Sequence, residues 1–256
     1  MNKKPIFDEV RRILGRSFSQ AEVVRIDRAI ELAVSAATKT AASAHRLGAL
    51  SEQFESGGRG PGAVSSGRDD PGGVSYGIHQ LSSRTGTVAV FMKNEGAGWQ
   101  REFGSAVPGS AAFSAVWRAV AEREPDAFMH AQHAFIERTH YRPAVKEAFV
   151  QTGMDLDSRH DAVRDAAWSV AVQHGGAARI LAAAIAITDN AMSRENADYD
   201  RRLIEAIYAE RTRYVLRVAG RSGASARRTL ASITRNRYPA ELKAALAMFG
   251  ETSIAA

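Results

Sequence analysis

The chain has 256 residues, 45% hydrophobic and 24% charged, enough apolar material for one large domain or two small ones. It contains no cysteine, which excludes disulfides, thiolate nucleophiles and cysteine-bound metals. The net charge of +6 points to an anionic partner, and nucleic acid, anionic lipid and bacterial cell wall all qualify.

Met1-Asn2-Lys3-Lys4-Pro5 is basic, but no apolar run of signal length comes after it, because Asp8, Glu9, Arg11 and Arg12 intervene. Neither a secretory signal nor a membrane-spanning helix is expected. Ile6, Val10, Ile13 and Leu14 share one helical face, and Gly15 offers a stop. Ser19-Gln20-Ala21-Glu22 has capping-box spacing, with Phe18 and Val23 placed as a hydrophobic staple. Val23, Ile26, Ile30 and Ala33 continue the stripe, and Thr38 to Ala44 is a linker or a helix continuation. Residues 1–40 are therefore read as a helical N-terminal segment and residues 41–256 as the main domain.

Leu47, Leu50 and Phe54 form the next apolar stripe, which ends at Glu55 before Ser56-Gly57-Gly58. Residues 57–73 are rich in glycine and contain Pro61 and Pro71, so no helix is expected there. Ala63 to Ser66 is a candidate strand, and Asp69-Asp70-Pro71-Gly72-Gly73 has turn chemistry. Val74, Tyr76, Ile78 and Gln80 alternate with Ser75, Gly77, His79 and Leu81, as in a strand.

The remainder reads as helices. Stripes run through Thr87 to Lys93 and through Phe113, Val116, Trp117 and Val120. Pro125 stands at a first helical position before Phe128, Gln132, Phe135 and Ile136. Pro143 opens a helix that Gly153 closes, and Val163, Ala167 and Val170 lead to His174-Gly175-Gly176. Ile180 to Ile187 is nearly all apolar, a central buried helix. Asp198 is placed to cap a long helix through Leu203, Ile207, Arg211 and Tyr214, and two more helices come after it. The fold class expected is mainly α with a small β-hairpin.

Glu55 is the first candidate for chemistry. A carboxylate at a helix C-terminus sits at the negative end of the dipole, which disfavours ionisation. Burial beside Phe54 pushes the same way, as a general acid requires. The glycines after it let a bulky polymer approach the backbone. The competing reading is a solvated glutamate at a helix end.

Glu55-Ser56-Gly57-Gly58, the loop after it, and Tyr76-Gly77-Ile78-His79-Gln80-Leu81 resemble the lysozyme superfamily signature. The likeness covers roughly residues 45 to 90 and is nearest to phage endolysins and to lysozyme domains of secreted antibacterial effectors. It implies a lysozyme-like α+β fold with the hairpin beside an active-site cleft, and makes residues 41–256 a catalytic domain. It implies a muramidase that cuts the β-1,4 bond between N-acetylmuramic acid and N-acetylglucosamine in peptidoglycan strands, with Glu55 as acid. Asp70, or Asp69 beside it, is the candidate partner carboxylate. Without a second acid, the same Glu55 serves a lytic transglycosylase. A chitosanase-like enzyme is a further rival, though its cationic polymer suits a basic protein poorly. Ser75, Tyr76, His79 and Gln80 are substrate-binding candidates, Gln80 through the superfamily's hairpin glutamine, while Tyr76 on an apolar strand face suits core packing equally well. Trp168, Gln173 and His174 are candidates for the far wall of the cleft. Such an enzyme, made in the cytoplasm without a signal peptide, reaches the periplasm or wall through a holin or a secretion system.

No cofactor and no metal is expected. His133 and Glu137 are four apart, but two ligands do not make a zinc site, and no His-Glu-x-x-His run accompanies His130 and His140. Asp155 to Ser158 and Asp189-Asn190 lack calcium-loop spacing. Arg211 to Arg237 is rich in arginine and free of acids, a solvated basic face or an attachment to anionic envelope components. A nucleic-acid or wall-binding module without catalysis is the alternative class, but no nucleic-acid motif accompanies the charge, so no nucleic-acid partner is expected.

Overall fold

Aromatic rings organise the core. Tyr76, Phe91, Phe113, Trp117, Phe128 and Phe135 are all buried. Trp117 lies 4.6 Å from Phe128 and 5.2 Å from Tyr76, centroid to centroid. Rings of this size dominate core energetics through the area they remove from water. The stripe of Phe113, Trp117 and Val120 thus has the role its spacing expects.

The structure is a computed structural model that describes residues 7, 11, 12, 15–19, 22, 23, 26, 45–55, 60–68, 70 and 72–251. The chain divides into two units, Met1–Arg46 and Leu47–Ala256. In the first, the capping box forms: Ser19 N donates to Glu22 Oε2 at 2.9 Å, and Glu22 N to Ser19 Oγ at 3.3 Å. A hydrogen bond from Arg16, then those from Ser19, holds the Glu22 carboxyl down to about 2. Phe18 packs edge-on against Phe7. Ile6, Val10, Ile13, Leu14, Ile30, Ala33 and the Thr38–Ala44 stretch lie outside the described residues.

The second unit is mainly α with a small antiparallel hairpin, the lysozyme-like α+β class expected. It opens with α1 (Ala49–Glu55), then β1 (Ser75–Tyr76) and β2 (Leu81–Ser82). The helices α2 (Thr87–Lys93), α3 (Gln100–Phe103), α4 (Ala111–Arg123), α5 (Pro125–Ile136) and α6 (Arg142–Thr152) come next. Then come α7 (Asp161–Gln173), α8 (Ala177–Ala191), α9 (Tyr199–Gly220), α10 (Ala224–Ser232) and α11 (Tyr238–Glu251). Pro125 opens α5, and Gly153 at φ +66° closes α6. Two π-helical turns, Glu137–Tyr141 and Ile233–Arg237, join α5 to α6 and α10 to α11. In α8, Ile180, Leu181 and Ile185 are buried but Ile187 is exposed, so only one face of that helix is central. No helix among the described residues is long and apolar enough to cross a membrane.

The expected strand from Val74 to Leu81 is corrected. Ser75 pairs with Ser82 and Tyr76 with Leu81, so Gly77 to Gln80 is the turn between two short strands. Gly77 at φ +73° and Gln80 at φ +54° take left-handed backbone that a strand cannot contain. Val64 bridges Tyr76 from the other side, which gives the stretch from Ala63 a strand-like edge.

Arg211 is also corrected. It is fully buried and belongs to no basic face. Its guanidinium reaches Glu241 at 3.5 Å and Gln173 Oε1 at 2.7 Å, and lies over the Tyr238 ring at 4.2 Å. Glu241, also fully buried, accepts from Ser169 Oγ and from Arg237 Nε. This network joins α7, α9 and α11. Arg211 Nε donates to His174 Nε2 at 3.2 Å, which requires a neutral imidazole. Burial first, then the charges of Arg211 and Arg237, hold the His174 imidazole down to about 3. The unfolded chain therefore gains a proton below the ordinary histidine range while the folded protein does not. Stability should be fully present above about pH 6.5 and fall as pH drops toward 3. Urea midpoints measured from pH 7 to 4 should show this slope, and His174→Gln should flatten it.

Candidate functional site

The helix that carries Glu55 is short, and the residues before it offer no local side-chain cap. Its first N–H groups, which have no partner within the helix, are satisfied from a distance instead. Asp165 on α7, with no exposed surface, accepts from Gly48 N at 2.8 Å and from Leu50 N at 3.0 Å. A carboxylate at a helix N-terminus is favoured both by these charge-assisted bonds and by the dipole. Gly48 stands at φ +84°, and a Cβ there would lie 2.5 Å from Trp168 Nε1. His133 stacks on Trp168 at 4.4 Å, and its Nε2 lies 2.6 Å from the Leu47 carbonyl. Leu50 and Ser51 face inward, 4% and 1% exposed. From this seat α1 runs to Glu55, where the sequence expects it to end.

The Gly-rich loop and the hairpin are joined by one buried amide. Gln132 donates from Nε2 to the Pro61 carbonyl at 3.0 Å and accepts at Oε1 from Ile78 N at 3.1 Å. Trp117 Nε1 donates to the same carbonyl at 2.9 Å. A Cβ on Gly77 would sit 2.1 Å from Gln132 Oε1, so only glycine fits that turn. Asp165 and Gln132 were not singled out as site residues. Their signal is a polar residue on an apolar stripe: Asp165 between Val163 and Ala166, and Gln132 between Phe128 and Ile136.

Of the expected sugar-binding residues, Gln80 is the one exposed on the hairpin. It borders a cleft of about 460 Å3 shared with Val64, Ser65 and Ser66. Its positive φ is held by its own Nε2 donating to the Gly77 carbonyl at 3.1 Å. Of the two readings open for Tyr76, the structure has the core one: it has no exposed surface, and its hydroxyl meets Ser114 Oγ and Gly109 N, both at 2.9 Å. Ser75, 7% exposed, is bound through its backbone to Ser65, and His79 is half-buried with its ring 6.3 Å from Trp168. His174 stands just past the end of α7, half-buried, with its imidazole engaged by Arg211 and Tyr238.

Asp70 is exposed at the turn. Its Oδ1 accepts from Gly72 N at 2.7 Å and its carbonyl from Gly73 N at 2.9 Å. Asp69 lies outside the described residues.

Fold and site together define a mainly α domain in which a pinned helix, a Gly-rich loop and a hairpin form one unit. The family model described as "Type VI secretion system spike protein VgrG3-like, C-terminal" matches residues 47–238, and the chain belongs to this family. The chain is also 38% identical over 135 residues to the "Type VI secretion system spike protein VgrG3" of Vibrio cholerae serotype O1. That match covers 53% of this chain and 13% of the relative, so the chain spans a small part of the relative's length. The resemblance to lysozyme-superfamily endolysins and effector lysozyme domains is thereby corrected: the family matched is that of a spike-protein C-terminal region.

Asp165→Ala would leave the Gly48 and Leu50 N–H groups buried without this acceptor and should destabilise the protein by about 3 kcal/mol. Urea unfolding of the variant beside the parent and Gln132→Ala measures this. Gln132→Ala should be destabilising too, because the Pro61 carbonyl loses one donor and Ile78 N its acceptor.

Proposed function

We propose that the chain is a peptidoglycan-cleaving glycosidase delivered by a type VI secretion system to the wall of a target bacterium. Its family and its relative's name support the delivery. The observation that carries the chemistry is α1: a helix capped from a distance by a buried carboxylate and ending at Glu55, the last residue before a Gly-rich stretch of the sequence. The position at the C-terminus favours the protonated carboxyl, which suits an acid.

In this reading Glu55 gives its proton to the glycosidic oxygen of the leaving N-acetylglucosamine as the bond to C1 of N-acetylmuramic acid breaks. Water then attacks C1, and a carboxylate on the 69–70 turn takes its proton. Asp70 is the first choice and Asp69 the second. Gln80, held in left-handed backbone at the cleft by Val64 and Ser65, offers its amide to the glycan's hydroxyl and acetamide groups.

A second reading is favoured by one specific contact. Asp70 Oδ1 is already occupied by Gly72 N, as in an ordinary turn. If neither aspartate accepts the proton from water, the muramic 6-hydroxyl attacks C1 instead, its proton passes to the Glu55 carboxylate left by the first step, and the product carries a 1,6-anhydro ring.

Purified protein incubated with peptidoglycan separates the readings by product mass. Reducing ends are expected for hydrolysis and anhydro ends for transglycosylation, and the absence of either refutes the enzyme. Glu55→Gln should lower the rate by at least about 100-fold with an unchanged melting temperature. Asp70→Asn should lower hydrolysis by a comparable factor if it is the base. A near-parental rate would move the role to Asp69 or favour the single-acid route.

A further inference from the structure

Arg179 on α8 and Arg217 and Arg221 at the end of α9 line one groove of about 470 Å3. All three are exposed, and among the described residues none forms an ion pair. Arg217 in the last turn of α9 and Arg221 just past its end are four residues apart and line the same groove, where like charges repel. Arg179 adds a third guanidinium from across the groove. Tyr214 and Val218 form part of its wall. Glu210, 7% exposed, also lines the groove and pairs with Arg213 at 2.5 Å.

The guanidinium fork matches planar carboxylates, and an anion held here relieves the repulsion among the three arginines. The buried Glu210 opposes a polyphosphate, which carries negative charge alone. A peptide with several carboxylates and one ammonium meets both signs, and small apolar side chains fit beside Val218. We propose that this groove binds the free carboxylates of the peptidoglycan stem peptide, so that the protein grips the wall by its peptides as well as by its glycan. The inference rests on the peptidoglycan reading above but concerns a different surface.

The test titrates a synthetic stem tetrapeptide, with free carboxylates and one amine, into the whole chain by calorimetry. The same titration uses its fully amidated analogue, lipopolysaccharide and inorganic phosphate. The free tetrapeptide should bind at least about tenfold more tightly than the amidated one, with affinity falling as salt rises. The double variant Arg217→Gln with Arg221→Gln should bind it about tenfold more weakly, yet cleave stem-free glycan like the parent. Equal binding of the amidated peptide, unchanged binding by the double variant, or tighter binding of lipopolysaccharide or phosphate each overturns the proposal. Because the titration needs no cleavage, its failure leaves the glycosidase standing. Loss of all cleavage in the parent, with the titration intact, refutes the enzyme instead.

Discussion

The carboxylate of Asp165, out of contact with water and bonded to two backbone N–H groups, is the constraint on which the candidate site depends. An ionised group in such a place is tolerated only when hydrogen bonds compensate its lost hydration. Gly48 N and Leu50 N provide them, and only because α1 begins where it does. The α1 seat is then closed on two further sides. Trp168 leaves no room for a side chain at position 48, and His133 lies against the Leu47 carbonyl. Groups from α5 and α7 thus determine where a helix far earlier in the chain must start.

Much of the helical layout was legible because it is local. The periodicity of Phe113, Trp117 and Val120 needs no partner to be read, and Pro125 and Gly153 mark ends by their own backbone preferences. The hairpin was misread because its turn is not a local matter. Alternation from Val74 to Leu81 satisfies a strand, and the choice of Gly77–Gln80 as the turn is supported by Gln132, 54 residues further on from Ile78. The π-helical turns at Glu137 and Ile233 were likewise invisible, since a shift in hydrogen-bond register leaves little mark on composition.

The same division runs through the site. Glu55 at a helix end is readable from the Leu47, Leu50 and Phe54 stripe and the glycines after it. Whether Tyr76 faces the core or a sugar is not, because an aromatic on a short strand suits both. Charge needed the helical phase to be read correctly. Arg211 shares a face with Ile207, Ile204 and Val215, all buried, and is drawn inside. Arg217, on another face of the same helix, and Arg221, just past its end, stay outside. A run of arginines is therefore two populations, one that joins α7, α9 and α11 and one that is left to meet other molecules.

The shortness of α1 has a mechanical consequence. Seven residues rise about 10 Å, so a tilt of about 6° at the anchored end displaces the far end by about 1 Å. An error of that size between a proton donor and a reacting oxygen can cost about 100-fold in rate. Asp165, Trp168 and His133 thus act as the fulcrum of a short lever. Sequence changes deep in α5 or α7 therefore have a direct way to move Glu55, the residue proposed above as the acid.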